Sequence, residues 1–201
     1  MTVTTAAIIA GGRGTRLSGQ VKGLLFVDGA RIIDRQRAVL GPLFARVLLI
    51  ANDPAPWAGV NLPIVPDRFV DAGPLAGIEA ALGAAGDDAA GVVCVAGDLP
   101  FLDGEILRLL RDHAPAADAV VPRIGGRPEP LLARYATRVR PQVAAQLAAG
   151  DGAAHRLLEK LAVTWLEESA LRAIAVDGQL RFLTNINTPA DLDQARSSRP
   201  R

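Results

Sequence analysis

The chain holds one cysteine, one methionine, one tyrosine and two tryptophans in 201 residues, and aromatics make up only 4% of it. With Cys94 alone, no internal disulfide and no cysteine-built metal cluster can form, and its place in the apolar run GVVCVAGD reads as a buried, inert thiol in a reducing compartment. An excess of charge of one sign is also missing. Lys+Arg 22 against Asp+Glu 21 leaves a net charge of +1, scattered apart from the final RSSRPR, so no basic face for nucleic acid is expected. No stretch offers about 20 uncharged apolar residues, and MTVTTAAIIA lacks the basic start of a secretory leader. The two histidines, His113 and His155, read as a helix-end and a surface residue, which leaves no obvious general base. A cytoplasmic protein with neither membrane nor nucleic-acid partners is expected.

What is present is apolar patterning. Hydrophobic residues make up 50% of the chain, enough for one large core, and residues 1–195 read as a single domain with 196–201 a flexible basic tail. Strand-like runs occur at 6–10, 46–52, 62–67, 91–98, 118–123 and 180–185; most lack two-residue alternation, as strands buried on both faces do. Between them RIIDRQRAVLGPLF, PLAGIEAALGAAG, DGEILRLLRDH, TRVRPQVAAQLAAG and HRLLEKLA carry helical spacing. Such alternation predicts an α/β fold of three layers, a Rossmann-like, mostly parallel sheet with helices on both faces. Near the end, NTPADLDQA places Thr188 at an N-cap, Pro189 at the first helical position and Asp191 at the third.

The first strand runs into AGGRGTRLSGQVKGLL, where bare backbone N–H groups beside cations suit an anion. The Walker A spacing fails because Gln20 stands where lysine is required. The dinucleotide fingerprint fails because Leu17 replaces its third glycine. Arg13, Arg16 and Lys22 nonetheless gather at a strand's carboxyl end, where open α/β sheets bind ligands, and a triphosphate needs such cations. The competing reading makes them solvated surface residues, with Lys22 paired to an acid such as Asp28. A second buried strand ends in AGDLPF. Asp103 can cap the next helix, which frees Asp98 for Mg²⁺, a cation commonly held by one or two carboxylates together with substrate phosphates.

These residues resemble the molybdenum cofactor guanylyltransferases, within the nucleotidyltransferases of the nucleotide-diphospho-sugar transferase type. IIAGGRGTRLSGQVKGLL is similar to that family's opening loop, VPDRFVDAGPLAGIEAAL to its central segment, AGDLPFL to its metal-site turn, RPEPLLARY to its acceptor-side segment and FLTNINTPADL to its closing motif. The resemblance implies transfer of GMP from GTP to the phosphate of molybdenum-bound molybdopterin, with pyrophosphate released and Mg²⁺ held by Asp98. It implies GTP contacts from Ile9, Ala10, Gly11, Gly12, Arg13, Lys22, Asn52, Asp67, Gly73, Gly77 and Asp98, with Lys22, Asp98 and Arg16 catalytic. Asn185, Asn187 and Arg156 would face the acceptor, with Arg127 and Glu129 weaker candidates. Molybdoenzyme-specific chaperones or other molybdenum cofactor proteins are the further partners it suggests. Three departures stand out: Val21 precedes Lys22 where the family has an acid, Leu99 follows Asp98 where methionine or threonine is common, and Arg156 is displaced from the family's arginine. Two other readings stay open, a cytidylyltransferase or other small-phosphate nucleotidyltransferase, and a non-catalytic protein that delivers nucleotide or cofactor.

Overall fold

Residues 3–10, 16, 17, 19–69, 71–87, 89–175 and 178–197 are described in the computed structural model. In chain order the strands are β1 (Thr5–Ile9), β2 (Arg16–Leu17), β3 (Gln20–Val21), β4 (Phe26–Val27), β5 (Ala30–Arg31), β6 (Arg46–Ile50), β7 (Ile64–Val65), β8 (Gly91–Ala96), β9 (Ala119–Ile124), β10 (Arg127–Pro128), β11 (Leu132–Ala136) and β12 (Val163–Glu167). The α-helices are α1 (Ile32–Leu40), α2 (Pro74–Ala85), α3 (Gly104–Asp112), α4 (Arg140–Ala148), α5 (Ala154–Leu158), α6 (Glu168–Ile174) and α7 (Pro189–Ser197).

The central sheet runs in the order β10-β9-β11-β8-β1-β6-β7, with β12 added parallel to β9. β1 pairs parallel with both β6 and β8, and β6 pairs parallel with β7, whereas β11 and β10 are antiparallel to their neighbours. The mostly parallel α/β expectation therefore holds, and the chemistry of the strands explains it. In β1, Ala6 and Ile8 join a core with Ile33 and Leu40 of α1, Ile106, Leu107 and Leu110 of α3, and Leu171 of α6. Ala7 and Ile9 join the opposite core with Leu75, Ile78 and Leu82 of α2, Val143 and Leu147 of α4, and Leu157 of α5. Because successive side chains point to opposite faces, a strand covered on both sides must be apolar throughout.

The run expected as a strand at 180–185 is instead a 3-10 turn over Arg181–Leu183. Its N–H groups bond locally, Leu183 to Leu180 O and Thr184 to Arg181 O, while Phe182 inserts into the core beside α3 and α6 residues. β11 and β12 were not anticipated as strands, nor was α6. The LARYA of β11 buries Arg134, whose guanidinium donates to Ala114 O at 2.7 Å, so a charge interrupts what is otherwise an inner strand. The capping expectations hold: Asp103 accepts from Glu105 N and Ile106 N, and Thr188 Oγ1 accepts from Asp191 N while Asp191 Oδ2 accepts from Thr188 N. No helix among the described residues is long and apolar enough to cross a membrane.

After β6 the chain runs to β7, then crosses back through α2 to place β8 on the other side of β1. That reversal opens a crevice at the carboxyl ends of β1, β6 and β8, where ligands sit in open α/β sheets. A third apolar cluster of Leu25, Val27, Ile32, Ile186, Leu192 and Ala195 ties the β4–β5 hairpin to α7 and returns the last part of the chain to that crevice.

The entry to α2 is shaped by close backbone contact. Gly73 has φ 74°, in the left-handed region, and Pro74 follows as the first helical residue. The loop after α4 presses against it: a Cβ on Gly152 would lie 1.8 Å from Ala72 O, and one on Gly73 would lie 3.2 Å from Gly152 O. Gly152→Ala should therefore destabilise the fold by at least ~1–3 kcal/mol, the usual cost of overpacking, because backbone and not a flexible side chain must yield. Gly104→Ala, in the first turn of α3 with only the end of Arg108 at 3.9 Å, should be neutral or slightly stabilising. Denaturant melts of the two variants check the contrast, and equal losses would contradict it.

Candidate active site

The two residues that end β1 organise the crevice. Ala10 N donates to Ile50 O at 2.9 Å and Ile9 O accepts from Gly97 N at 2.9 Å, so the ends of β6 and β8 are both tied to the same pair. On the β8 side, Asp98 follows Gly97 in a tight turn, where a Cβ on Gly97 would lie 3.1 Å from both Ala10 Cβ and Ile9 O. Lys22 sits on a single 3-10 turn, Lys22–Leu24, with Gly23 pressed against Trp57 and Gly97 O.

Lys22 is 8% exposed, and its ammonium donates to Asp98 Oδ2 at 3.2 Å and to Asn187 Oδ1 at 2.5 Å. A buried ammonium is costly without such partners. Asn187 is itself fixed: its N–H donates to Asp191 Oδ2 at 2.9 Å, and Ile186 N donates to Asp98 O at 3.1 Å. The N–H groups of Asn187 and Thr188 hold the Asp191 carboxyl below its ordinary range, with the Lys22 charge a smaller contribution. Lys22 is thus paired with Asp98, not with Asp28.

On the β6 and β7 side, Asn52 and Asp67 clasp each other. Asn52 Nδ2 donates to Asp67 Oδ2 at 3.1 Å, and Asp67 N donates to Asn52 Oδ1 at 2.7 Å. The other carboxylate oxygen, Asp67 Oδ1, is buried without a hydrogen-bond partner. Gly77 brings α2 against this corner: a Cβ there would lie 2.6 Å from Ile9 Cγ2 and 3.8 Å from Asp67 Oδ1. Burial pushes the Asp67 carboxyl above its ordinary range, the Asn52 bond opposes this, and the nearby Glu79 charge adds to it. Glu79 is itself buried and paired with Arg140 at 3.1 Å and Arg68 at 3.5 Å.

The structure therefore brings together Ile9, Ala10, Asn52, Asp67 and Gly77 on one flank and Lys22, Asp98 and Asn187 on the other, with Gly73 at the α2 entry. Gly11, Gly12 and Arg13 lie outside the described residues. Arg16 pairs through its backbone with Val21, and its side chain is likewise outside them. Asn185 is exposed and lines a cleft of about 270 Å³ with Phe101, Arg181, Thr184 and Gln194. Arg156 is not joined to either flank; it pairs with Asp151 at 2.7 Å on the surface. Arg127 is exposed in β10, and Glu129, half-buried and pushed up by burial, precedes Leu131, whose carbonyl accepts from Ala96 N at 2.7 Å. His113 ends α3 and His155 is an exposed residue of α5, while Cys94 is fully buried with its thiol pushed up to about 12. Gln36, which the motifs do not include, also reaches the site: it lies in α1 and donates to the carbonyls flanking Asp98. Its signal is an amide at a core position of α1, between Ile32 and Leu40 at four-residue spacing.

A parallel α/β sheet with a lysine and a strand-end aspartate facing one crevice defines a class, the nucleotide-binding transferases of open-sheet type. The chain belongs to the family of the MobA-like NTP transferase domain, whose model matches residues 6–165. It is 35% identical to a probable molybdenum cofactor guanylyltransferase of Pelotomaculum thermopropionicum, covering 98% of this chain and 93% of that protein. It is 32% identical to the molybdenum cofactor guanylyltransferase of Desulfosudis oleivorans, with 98% and 96% covered. Molybdopterin-guanine dinucleotide biosynthesis protein A from Archaeoglobus fulgidus superposes with a TM-score of 0.81 at 28% identity, covering 96% of each chain.

The Asp67 environment gives a pH prediction. Its folded pKa is raised above the unfolded value, so its contribution to stability is present below the ordinary carboxylate range and is lost as pH rises through the folded value. Asp67→Asn cannot ionise, and the amide oxygen can still accept from Asn52. The variant should gain stability over the parent as pH is raised from about 3 to about 7. Chemical denaturation across that range measures the difference, and a gap that is flat or opposite in sign would contradict the raised carboxyl.

Proposed function

We propose that this protein transfers GMP from GTP to the terminal phosphate of molybdenum-bound molybdopterin and releases pyrophosphate. The names of its relatives support the substrates, and the crevice supports the chemistry. The observation that carries the reading is that two polar pairs, Lys22 with Asp98 and Asn52 with Asp67, stand on opposite sides of the end of β1, one suited to phosphate and the other to a base.

An oxygen of the acceptor phosphate attacks the α-phosphorus of GTP. The bond from that phosphorus to the bridging oxygen breaks, and pyrophosphate leaves with the electron pair. The attacking group is already anionic, so no strong base is required. What the protein supplies is position and neutralisation of charge. The backbone of Ile9 and Ala10, with Gly11 and Gly12, lies against the nucleotide; Lys22 turns from Asp98 to the phosphates; Arg13 and Arg16 hold the leaving pyrophosphate. Asn185, Asn187 and Arg156 serve the acceptor. Asp98 would hold Mg²⁺, and the donors fit that cation: Asp98 Oδ2 and Asn187 Oδ1 are hard oxygens that face one positive charge, the Lys22 ammonium. When bound, Mg²⁺ neutralises phosphate charge. We place the reaction in the cytoplasm, with molybdoenzyme-specific chaperones or other molybdenum cofactor proteins as further partners.

Asp98→Asn should abolish most turnover while GTP still binds, and Lys22→Ala should slow transfer by roughly 10²-fold or more, the loss typical of one preorganised contact to reacting charge. Pyrophosphate release with molybdopterin and Mg²⁺ is the assay. Near-normal release by both variants would remove the phosphate-side flank from the reaction, and binding without any release in the parent would leave a delivery protein.

Base choice tests the other flank. Guanine offers N1–H and N2–H₂ side by side, which a carboxylate can accept, whereas adenine presents a lone pair at N1. An unsatisfied buried polar group costs ~1–3 kcal/mol, so GTP should be preferred over ATP and CTP, with ITP between GTP and ATP. Asp67→Ala should flatten that ranking. A parent that favours CTP would support the cytidylyltransferase reading, and an equal loss for all four nucleotides in Asp67→Ala would assign Asp67 to the ribose or the loop.

A further inference from the structure

Asp98 is useful only if its carboxylate points into the crevice, and the turn that carries it is weakly closed by its own backbone. Leu99 N reaches Ala96 O at 3.4 Å, beyond the usual length of a good N–H···O bond. What spans the turn is Gln36. Its Nε2 donates to Ala96 O at 2.8 Å and to Leu99 O at 3.0 Å, so both amide hydrogens are used on the two carbonyls that straddle Gly97–Asp98. The next side chain back, Arg35, donates to Pro100 O at 2.9 Å and to Val27 O at 3.3 Å. Two consecutive residues of α1 therefore grip three carbonyls of the segment 96–100.

Gln36 is 0% exposed, between Ile32 and Leu40 on the apolar face of the helix, and its Oε1 has no hydrogen-bond partner. A leucine or methionine at that position would fill the core without burying an amide. Such a residue would also leave the carbonyls of Ala96 and Leu99 short of donors, so the glutamine answers to the turn and not to the packing of the helix face. The other backbone anchors, Ala96 N to Leu131 O, Gly97 N to Ile9 O and Ile186 N to Asp98 O, fix the turn against its neighbours, so across the Ala96 to Leu99 span Gln36 supplements only the long Leu99 N bond.

We infer that Gln36 is a positioning residue for the transfer reaction: it sets the direction of the Asp98 carboxylate, and through it the affinity for the divalent cation and the charge partner of Lys22. It touches no substrate. The inference rests on the reading of Asp98 as the metal-holding residue.

The test uses Gln36→Met, which matches the length of the side chain and removes both donors along with the unpartnered oxygen. Mn²⁺ binding to the complex with a non-hydrolysable GTP analogue, followed by electron paramagnetic resonance, should weaken by about 10-fold, the usual effect of losing a group that orients a ligand. Metal-free binding of the analogue should stay within about twofold of the parent, and turnover should recover in part as Mg²⁺ is raised, with KM for GTP little changed. Gln36→His, which keeps one ring N–H, should fall between Met and the parent, and it supplies the same measurement if the Met variant does not fold. A purely structural role would lower the melting temperature and leave Mn²⁺ affinity within about twofold of the parent, which overturns the inference. Asp98→Asn is run beside them: if it also leaves Mn²⁺ affinity intact, the metal reading of Asp98 has failed, and if it alone weakens Mn²⁺, only the role of Gln36 has.

Discussion

One ammonium joins three distant parts of the chain. Lys22 is bonded at once to residues 76 and 165 positions away, Asp98 and Asn187, with only a small fraction of its surface in water. A charge so placed costs several kcal/mol unless its partners are held in place, so each partner must be fixed by its own device. The devices are visible and separate: Gly23 against Trp57 beneath Lys22, the Gln36-spanned turn beneath Asp98, and the Thr188–Asp191 capping box beneath Asn187. Remove any one and a buried charge is left short of a partner.

The position of that contact follows from the topology. β1 is flanked on both sides by parallel strands reached by crossovers in opposite senses, so the carboxyl ends of β6 and β8 splay around Ile9 and Ala10. Strand pairing continues one step past β1 on each side, to Ile50 O and from Gly97 N, which keeps the two flanks at a set distance from the same backbone. Gly77 then lets α2 approach until Ile9 and Asp67 meet across it. The two flanks of the crevice are thus measured from one strand.

Much of this was legible in the residues, for identifiable reasons. The inner strands β1 and β8 are almost wholly apolar, and β6 is so after Arg46, because both faces are covered there, and Gly97 with Asp98 marks where β8 stops. Asn187 stands out in the closing motif, but its bond to Lys22 is not legible there, because only tertiary folding brings residue 187 to residue 22. β11 escaped notice because Arg134 and two alanines dilute its apolar signal, and its burial is decided by a carbonyl, that of Ala114, contributed from elsewhere. The run at 180–185 misled for the opposite reason: its apolar residues fill the helix layer through Phe182, where no strand edge is offered. Gln36 carries no motif, since its partners are backbone carbonyls, which have the same chemistry at every residue.

The unpartnered polar atoms show where the fold gives up stability. Among the described residues the buried side-chain atoms without a hydrogen bond are Gln36 Oε1, Asp67 Oδ1, Glu79 Oε2 and Arg134 Nε. Each such group costs ~1–3 kcal/mol, so chance alone would scatter a few through the core. Two of these four lie at the ends of the central strands, where Gln36 spans the Asp98 turn and Asp67 is clasped by Asn52, while Glu79 pairs with Arg140 and Arg68 where α2 meets α4. A core selected only for stability would replace them with apolar residues of equal volume. In Gln36 the amide nitrogen that holds the turn carries with it an oxygen that has no partner, so the geometry of the Asp98 turn is kept at a cost in stability.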